Sequence, residues 1–497
     1  MHACACASAF YCKRARLHVI SGRAATGTHF VKNLLLFSIE DLNDWIEPLG
    51  GHPQAYTPNL QRLADMGALC TSAYAAAPAC SPSRTATLFS RFPWETGVLS
   101  NATQWFDFFP YGQSISLIGK LKEAGFETIG AGKVFHTKGR SRTLDYGDWT
   151  EFHFETKVNY PKLSKTVRAR DLGKPADFGV DTTGLPSGDD INTDWMIERI
   201  KPGQTGKAWA LGIFRPHLPF IAPQEFFDKI PEQVDLPPGL GTNGFDPDND
   251  NSHRNLPEPA KRFAVKQSKT GHALHKHGEY EAFLRAYLAS IAYADSKLGM
   301  VLDHLERCDL MKDTLIVLWS DHGWQLGEKL AFRKFTLWER ALRVPVIFAG
   351  GDIPRHKVTA PISLVDMAPT ILNLMGVQPS AEFSGQDITE PLMGTGAPER
   401  LYAPSIWGVG FRNIPRLAYS VRTEKYRYIR YWNGSSELYD HDVDPFEHDN
   451  LAKSENPEVQ KEKERLEEYV REIEIDPATL PAQTSSSAGD DDDDDDA

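Results

Sequence analysis

Cysteine is scarce, six in 497 residues, and Cys4, Cys6 and Cys12 crowd the N-terminus. So few in so long a chain make no disulfide framework. The Cys4-Ala5-Cys6 spacing fits no common zinc pattern, and no nearby His pair completes it. Long apolar runs are missing too. The best candidate, Leu34 to Ile39, falls far short of the roughly 20 residues that cross a bilayer, so no membrane span is expected. Basic charge is in deficit, with 54 Lys and Arg against 67 Asp and Glu and a net charge of −13. A nucleic-acid partner is therefore not expected. Seven of the negative charges are the run Asp490 to Asp496, which leaves about −6 for the rest. Residues 481–497 read as a solvated acidic tail. Residues 1–39 hold no acid but carry Lys13, Arg14, Arg16, Arg23 and Lys32. That composition suits an organelle transit leader, or an extension of no targeting value, better than a secretory signal with its apolar core. Residues 1–30 are set apart as leader or disordered extension. The sequons at Asn101 and Asn433 are as many as chance supplies in such a chain, and localisation stays open.

What is present alternates. Short, nearly continuous apolar runs end in polar residues: Leu34 to Ile39 before Glu40-Asp41, Thr128 to Ala131 before Lys133, Trp209 to Phe214 before Arg215, and Leu315 to Trp319 before Asp321-His322. Such runs are the pattern of strands buried on both faces. Val344 to Phe348 reads as another central strand. Helical periodicity sits between them, at Asn59 to Ala64, Ser116 to Ala124 and Tyr280 to Cys308. The alternation predicts an α/β fold, a large mostly parallel sheet flanked by helices, over residues 31–375. Leu417 to Arg422, Tyr426 to Tyr431 and Glu437 to Asp440 predict a smaller antiparallel sheet, followed by a charged helix from Pro457 to Ile473. Residues 376–480 are assigned to that C-terminal α+β subdomain. Ligands of open α/β sheets gather beyond the C-terminal strand ends, where all four polar clusters fall.

The clusters carry complementary chemistry. Glu40, Asp41, Asp321 and His322 at two strand ends offer oxygen ligands for a hard divalent cation, Ca²⁺ or Mg²⁺, although each pair alone also reads as a solvated loop. Arg84, Lys133, His136, Arg215, His217 and Lys334 suit a tetrahedral oxyanion, whose developing charge a metal and cationic side chains neutralise. A His can protonate a leaving alcohol. Cys80 lies in Cys80-Ser81-Pro82-Ser83-Arg84, after the small-residue stretch Ala75 to Ala79 and at the entry of a helix. A helix N-terminus lowers a thiol pKa. A buried inert thiol is the competing reading.

Cys80-x-Pro82-Ser83-Arg84 resembles the sulfatase motif, in which the cysteine is oxidised to Cα-formylglycine. The likeness runs from about residue 31 to 452, through Glu40-Asp41-Leu42, Thr57-Pro58-Asn59-Leu60, Gly132 to His136, Arg215 to Phe220, Ser320 to Glu328 and Glu437 to Asp440. It is greatest with the iduronate-2-sulfatase-like sulfatases of the alkaline-phosphatase superfamily. The resemblance implies a sulfuric ester hydrolase acting on a sulfated carbohydrate. It also implies one Ca²⁺ ligated by Glu40, Asp41, Asp321, His322 and the modified residue 80. Arg84, Lys133 and His136 would orient and activate the hydrated aldehyde. His217 and Lys334 would contact the sulfate, with His217 the proton donor to the leaving group. One hydroxyl of the hydrate attacks sulfur and the second drives sulfate release, which neither a thiol nor a serine can do. A formylglycine-generating enzyme is then a partner during maturation.

Three positions depart from the family pattern. Glu40 stands where Asp is usual, Arg215 where Lys is common, and Leu88-Phe89-Ser90 where Leu-Thr-Gly is usual. Two other functions share these residues: a phosphonate monoester or phosphodiester hydrolase of the same superfamily, and a glycan-binding pseudoenzyme with unmodified Cys80. The segments Asp145 to Asp194 and Pro237 to His277 read as loop insertions that shape the pocket without naming its sugar.

Overall fold

The computed structural model describes residues 31–103, 105–107, 115–136, 147–156, 178–237, 240, 255–410 and 415–480. The leader, the acidic tail, Cys4, Cys6, Cys12 and much of both insertions lie outside the described residues.

Strands β1 (Asn33–Ile39), β2 (Gly67–Tyr74), β3 (Glu127–Gly132) and β4 (Glu151–His153) belong to one large sheet. A short strand β5 (Phe178–Asp181) pairs separately with β7 (Phe220–Pro223), and between them β6 (Lys207–Ile213) returns to the large sheet. Next come β8 (Thr314–Ser320), the small β9 (Gln325–Leu326) and β10 (Phe332–Arg333) pair, β11 (Arg343–Ala349), β12 (His356–Val358) and β13 (Ile362–Ser363). The sheet order is β12-β2-β11-β8-β1-β6-β3-β4, with β13 also on β2. Every pairing in it is parallel except those of β11, which runs antiparallel to both β2 and β8. The segment read as a central strand at Val344 to Phe348 is therefore the one strand that breaks the parallel pattern. Its apolar run carries no mark of direction.

β1 explains why the sheet is central. All its residues are buried, with Leu34 and Leu36 facing one apolar cluster and Leu35, Phe37 and Ile39 facing the other. Each such side chain contributes about 1.5–3 kcal/mol by leaving water. The second cluster is capped by the long helix Tyr280–Arg307, which carries Phe283, Leu284, Tyr287, Ile291 and Leu298 inward. Glycine matters at one place on the site side of the sheet. Gly132 ends β3 at φ 67°, and a Cβ there would lie 2.0 Å from the Gly212 carbonyl oxygen. That close approach sets Lys133 against β6.

The smaller sheet is antiparallel, β14 (Ala403–Val409), β15 (Arg416–Arg422), β16 (Tyr426–Arg430) and β17 (Ser436–Asp440) in that order. The helix Pro457–Ile473 packs on β15 and β16. Glu437, part of one of the family-like motifs, has a structural post. Its carboxylate accepts hydrogen bonds from Trp338 Nε1 at 2.9 Å and from the hydroxyls of Tyr431 and Tyr439. It ties the small sheet to the segment that follows Lys334.

Candidate active site

The strand ends meet as expected. Glu40 and Asp41 follow β1, Lys133 follows β3, Arg215 and His217 follow β6, and Asp321 and His322 follow β8. Cys80 is the first residue of the helix Cys80–Phe89, which starts after β2. That helix is buried along its whole length. Its first turn is satisfied by Asn101, whose side-chain oxygen accepts the Ser81 N–H at 2.9 Å. The sequon asparagine is thus buried, with its amide oxygen engaged on the site helix.

Two groups converge on the Cys80 sulfur, Lys334 Nζ at 3.0 Å and His322 Nε2 at 3.3 Å. Both also reach Asp41 Oδ1, at 3.1 and 3.3 Å. His322 Nδ1 lies 3.0 Å from the Gly323 carbonyl, which assigns the proton to Nδ1 and leaves Nε2 as the acceptor or ligand atom. His217 is oriented the same way, with Nδ1 2.8 Å from the Leu218 carbonyl and Nε2 3.8 Å from Asp41 Oδ2. Arg84, on the Cys80 helix, reaches the ends of both β8 and β3. Its Nε donates to Asp321 Oδ2 at 2.9 Å, and its Nη1 to the carbonyls of Lys133 and Val134 at 2.6 and 3.0 Å. The guanidinium lies 5.5 Å over the Trp319 ring. Lys133 Nζ pairs with Glu40 Oε1 at 2.5 Å; the longer glutamate reaches the ammonium directly.

Electrostatics divides these groups. Burial opposes ionisation of Glu40, but Lys133, His217 and Arg84 outweigh it and hold the carboxyl well below its usual range. Burial also opposes ionisation of Asp321, yet Arg84 and His322 pull it to about 2. Asp41 goes the other way: burial lifts it to about 6, with Lys334 and His322 only partly compensating. Burial and the Lys133 charge keep His136 far below its usual value, so it is neutral. Of the two readings of the thiol, the buried inert one holds. Burial pushes Cys80 up and outweighs Lys334 and Lys133, so the helix N-terminus does not make a thiolate here. The site does not prepare Cys80 to act as a sulfur nucleophile.

Several buried atoms in this cluster have no hydrogen-bond partner: Glu40 Oε2, Asp41 Oδ2, Arg84 Nη2 and both ring nitrogens of His136. Buried polar groups are almost always satisfied, so such a concentration marks where ligands belong. Single ligand atoms from Asp41, Cys80, Asp321 and His322 lie within 4.8 Å of one another, and so do those of Glu40, Asp41, Cys80 and His217. Three of these six residues are carboxylates, the oxygen donors that a hard divalent cation takes. The residues fit a divalent cation.

Arg215 stands apart. Its guanidinium Nε donates to the Ile221 carbonyl at 3.0 Å, and its backbone N–H and that of Phe214 donate to Asp189 at 3.1 and 2.8 Å. It shapes the loop that carries His217. Sequence reading passed over Asp189 and Tyr287, which touch the site loops from distant parts of the chain and belong to no motif; Ser320 was read only as part of its motif, without a role of its own. Ser90, in place of the usual glycine, ends the site helix at φ 50°, with its hydroxyl donating to the Val365 carbonyl at 2.8 Å and accepting the Gly385 N–H at 3.1 Å. The side chain is recruited to hold a turn that glycine enters freely.

Residues 32–377 match the sulfatase family. The chain belongs to it. Residues 327–475 also match the C-terminal region of N-sulphoglucosamine sulphohydrolase. A sulfatase of Formosa agariphila is 32% identical, over 84% of this chain and 83% of that protein. Iduronate 2-sulfatase of Homo sapiens is 26% identical, over 86% of this chain and 92% of its own length. Among solved structures, a 2-O GAG sulfatase superposes with a TM-score of 0.70 at 22% identity, covering 92% of this chain and 95% of that one. The sulfatase is a sulfuric ester hydrolase on this ground, with the alkaline-phosphatase-like fold. Among the described residues no helix is long and apolar enough to cross a membrane.

Proposed function

We propose that this sulfatase removes sulfate from a sulfated carbohydrate, using residue 80 after its conversion from cysteine to formylglycine. The observation that carries the reading is the convergence of Lys334 and His322 on the Cys80 sulfur, at 3.0 and 3.3 Å, beside unpartnered carboxylate oxygens. Two carbohydrate-directed sulfatases among its relatives and fold neighbours, iduronate 2-sulfatase and a 2-O GAG sulfatase, support the substrate class.

Formylglycine at position 80 would supply a hydrated aldehyde with one hydroxyl to attack sulfur and another to drive release of the bound sulfate. Glu40, Asp41, Asp321 and His322 would hold Ca²⁺, whose chemistry is to polarise a sulfate oxygen and offset its charge. Lys334 and Lys133 stay charged, since their carboxylate neighbours outweigh burial. They neutralise the sulfate oxygens as negative charge develops. Arg84 fixes residue 80 and Asp321 relative to each other. Neutral His136, beside Lys133, accepts a proton from the attacking group. His217 presents Nε2 toward the leaving oxygen and, as the imidazolium with Nδ1–H held by the Leu218 carbonyl, donates from Nε2 the proton the departing alcohol needs. The catalytic unit spans residues 31–375 and the C-terminal subdomain residues 376–480.

The test begins with peptide mass spectrometry over Ala73 to Arg84 on protein co-expressed with a formylglycine-generating enzyme. The expected result is loss of the thiol mass and gain of the aldehyde. Wholly unoxidised Cys80 in active protein sinks the mechanism. Aryl sulfate and aryl phosphodiester are then compared, and a higher rate on the diester identifies a phosphoester hydrolase instead. A panel of sulfated oligosaccharides, 2-O-sulfated uronic acid units included, reads the sugar directly.

A further inference from the structure

Asp41 adopts φ 56°, the left-handed region that aspartate enters only at a cost. Its carbonyl and the next two N–H groups point away from the strand partners that β1 uses, so each needs another partner. Two hydroxyls supply them. Tyr287 Oη donates to the Asp41 carbonyl at 2.8 Å and accepts the Asn43 N–H at 3.2 Å. Ser320 Oγ accepts the Leu42 N–H at 3.0 Å and donates to the His322 carbonyl at 3.1 Å. A hydroxyl has one proton and free lone pairs, and both here use donor and acceptor on backbone. The Asp41 N–H itself goes to Asp321 Oδ1 at 3.1 Å. Three consecutive residues after β1 are thereby fastened to the Tyr280–Arg307 helix and to the end of β8.

We propose that Tyr287 and Ser320 form a hydroxyl clamp that holds Asp41 in its left-handed turn, and that Tyr287 is a positioning residue for the cation site. The proposal rests on the calcium reading above. The tyrosine is suited to it. It stands on a long helix, is wholly buried, and its ring is wedged between Trp45 and Phe220, with centroids 5.7 and 5.1 Å away. Its hydroxyl has no freedom to follow a relaxing loop. Without it, Asp41 drops into an ordinary backbone region and its Cβ swings. The carboxylate then leaves the place where Lys334 and His322 meet it. Ser320 adds a second tie, since the same oxygen joins the loop of Asp41 to the backbone of His322. The two strand ends that supply cation ligands are therefore set at a fixed separation by a group that is not itself a ligand.

The experiment measures calcium affinity by titration calorimetry on chelator-treated full-length protein, beside steady-state kinetics at saturating calcium. Tyr287→Phe keeps the ring and removes the hydroxyl. Its calcium Kd is expected to rise by about tenfold or more, the usual scale for removing a group that orients a ligand, with kcat reduced and KM little changed. Tyr293→Phe is the control. Tyr293 is buried on the same helix and its hydroxyl lies 2.6 Å from Ser187 Oγ, so it loses a comparable bond without touching the Asp41 loop and should bind calcium as wild type does. Calcium affinity of Tyr287→Phe within about twofold of wild type overturns the clamp. If Tyr287→Phe does not melt cooperatively, Ser320→Ala is read by the same criterion, and unchanged affinity there overturns it equally. A wild-type protein that takes up no calcium overturns the cation assignment and the clamp with it.

Discussion

Lys334 Nζ bridges Cys80 Sγ and Asp41 Oδ1, 3.0 Å from one and 3.1 Å from the other. One ammonium thus touches the residue proposed to attack and a carboxylate proposed to hold the cation. Lys334→Ala removes the bridge and leaves Asp41 without its nearest positive partner. Turnover of an aryl sulfate should fall by about 10²–10³-fold, as when one preorganised donor is lost from an oxyanion site. Circular dichroism and melting should show an intact fold. A near-wild-type rate refutes the placement.

Cation removal gives a second test. Asp41, Asp321 and Glu40 crowd three carboxylates into a fully buried space, and a bound divalent ion relieves their repulsion. Chelation should abolish activity and calcium should restore it. Calcium at a hundredfold excess over its Kd should stabilise the fold by about 2.7 kcal/mol, read as a rise in Tm. Identical melting curves with and without calcium contradict the donor-set reading.

Ser90 permits a comparison of backbone strain with hydrogen bonding. Ser90→Ala keeps the left-handed cost and loses both bonds to Val365 and Gly385. A loss of about 2 kcal/mol is expected, since the buried Val365 carbonyl and the half-buried Gly385 N–H go unpaired. Ser90→Gly loses the same bonds but relieves the turn, and should be the more stable of the two by about 1 kcal/mol. Denaturant unfolding of both variants gives the order. The reverse order contradicts the account of why serine stands there.

Acid stability should follow Glu447. Burial opposes its ionisation, but Arg427 at 2.6 Å and His441 at 3.1 Å outweigh it, and the carboxyl titrates at about 2 against an ordinary 4.5. The folded state therefore binds fewer protons than the unfolded one in that window. The stabilisation is complete above pH 4.5 and disappears as pH falls through about 2. Glu447→Gln should cost about 3 kcal/mol at neutral pH, because it leaves Arg427 and His441 one partner short. The gap in Tm between wild type and variant should close on acidification. A gap independent of pH across that range excludes the ion pair as its source.

Much of this was legible before any coordinates. The helix read from Pro457 to Ile473 is found over that span, and Tyr280–Arg307 stops one residue short of the reading. Apolar period and length settle such elements. β14 was not separated from the loop before it, because Ala403-Pro404-Ser405 opens it without an apolar run. The gathering of charged groups at strand ends could be read because a parallel sheet sends its strand ends to one side. Tyr287, Asp189 and the role of Ser320 could not. Their contribution is a hydroxyl or carboxylate aimed at backbone some 20 to 280 residues away, and backbone groups leave no trace in composition. The two readings of the thiol could not be separated by pattern for a related reason: a helix N-terminus can be seen in sequence, whereas burial depends on everything packed around it.

The side chain of Cys80 is 1% exposed, at the head of a helix buried throughout. No second protein can grip the five residues around it once the chain has folded. Chemistry performed on that cysteine by another enzyme is therefore confined to the time between synthesis and folding, and the two events compete. A slow-folding chain has longer to be matured; a fast one closes over an unaltered thiol. Solubility and a sharp melting transition then say nothing about whether a preparation was matured, because Cys80 fits its place as a thiol. On the formylglycine reading proposed above, specific activity divided by the aldehyde fraction is the quantity that compares one preparation with another.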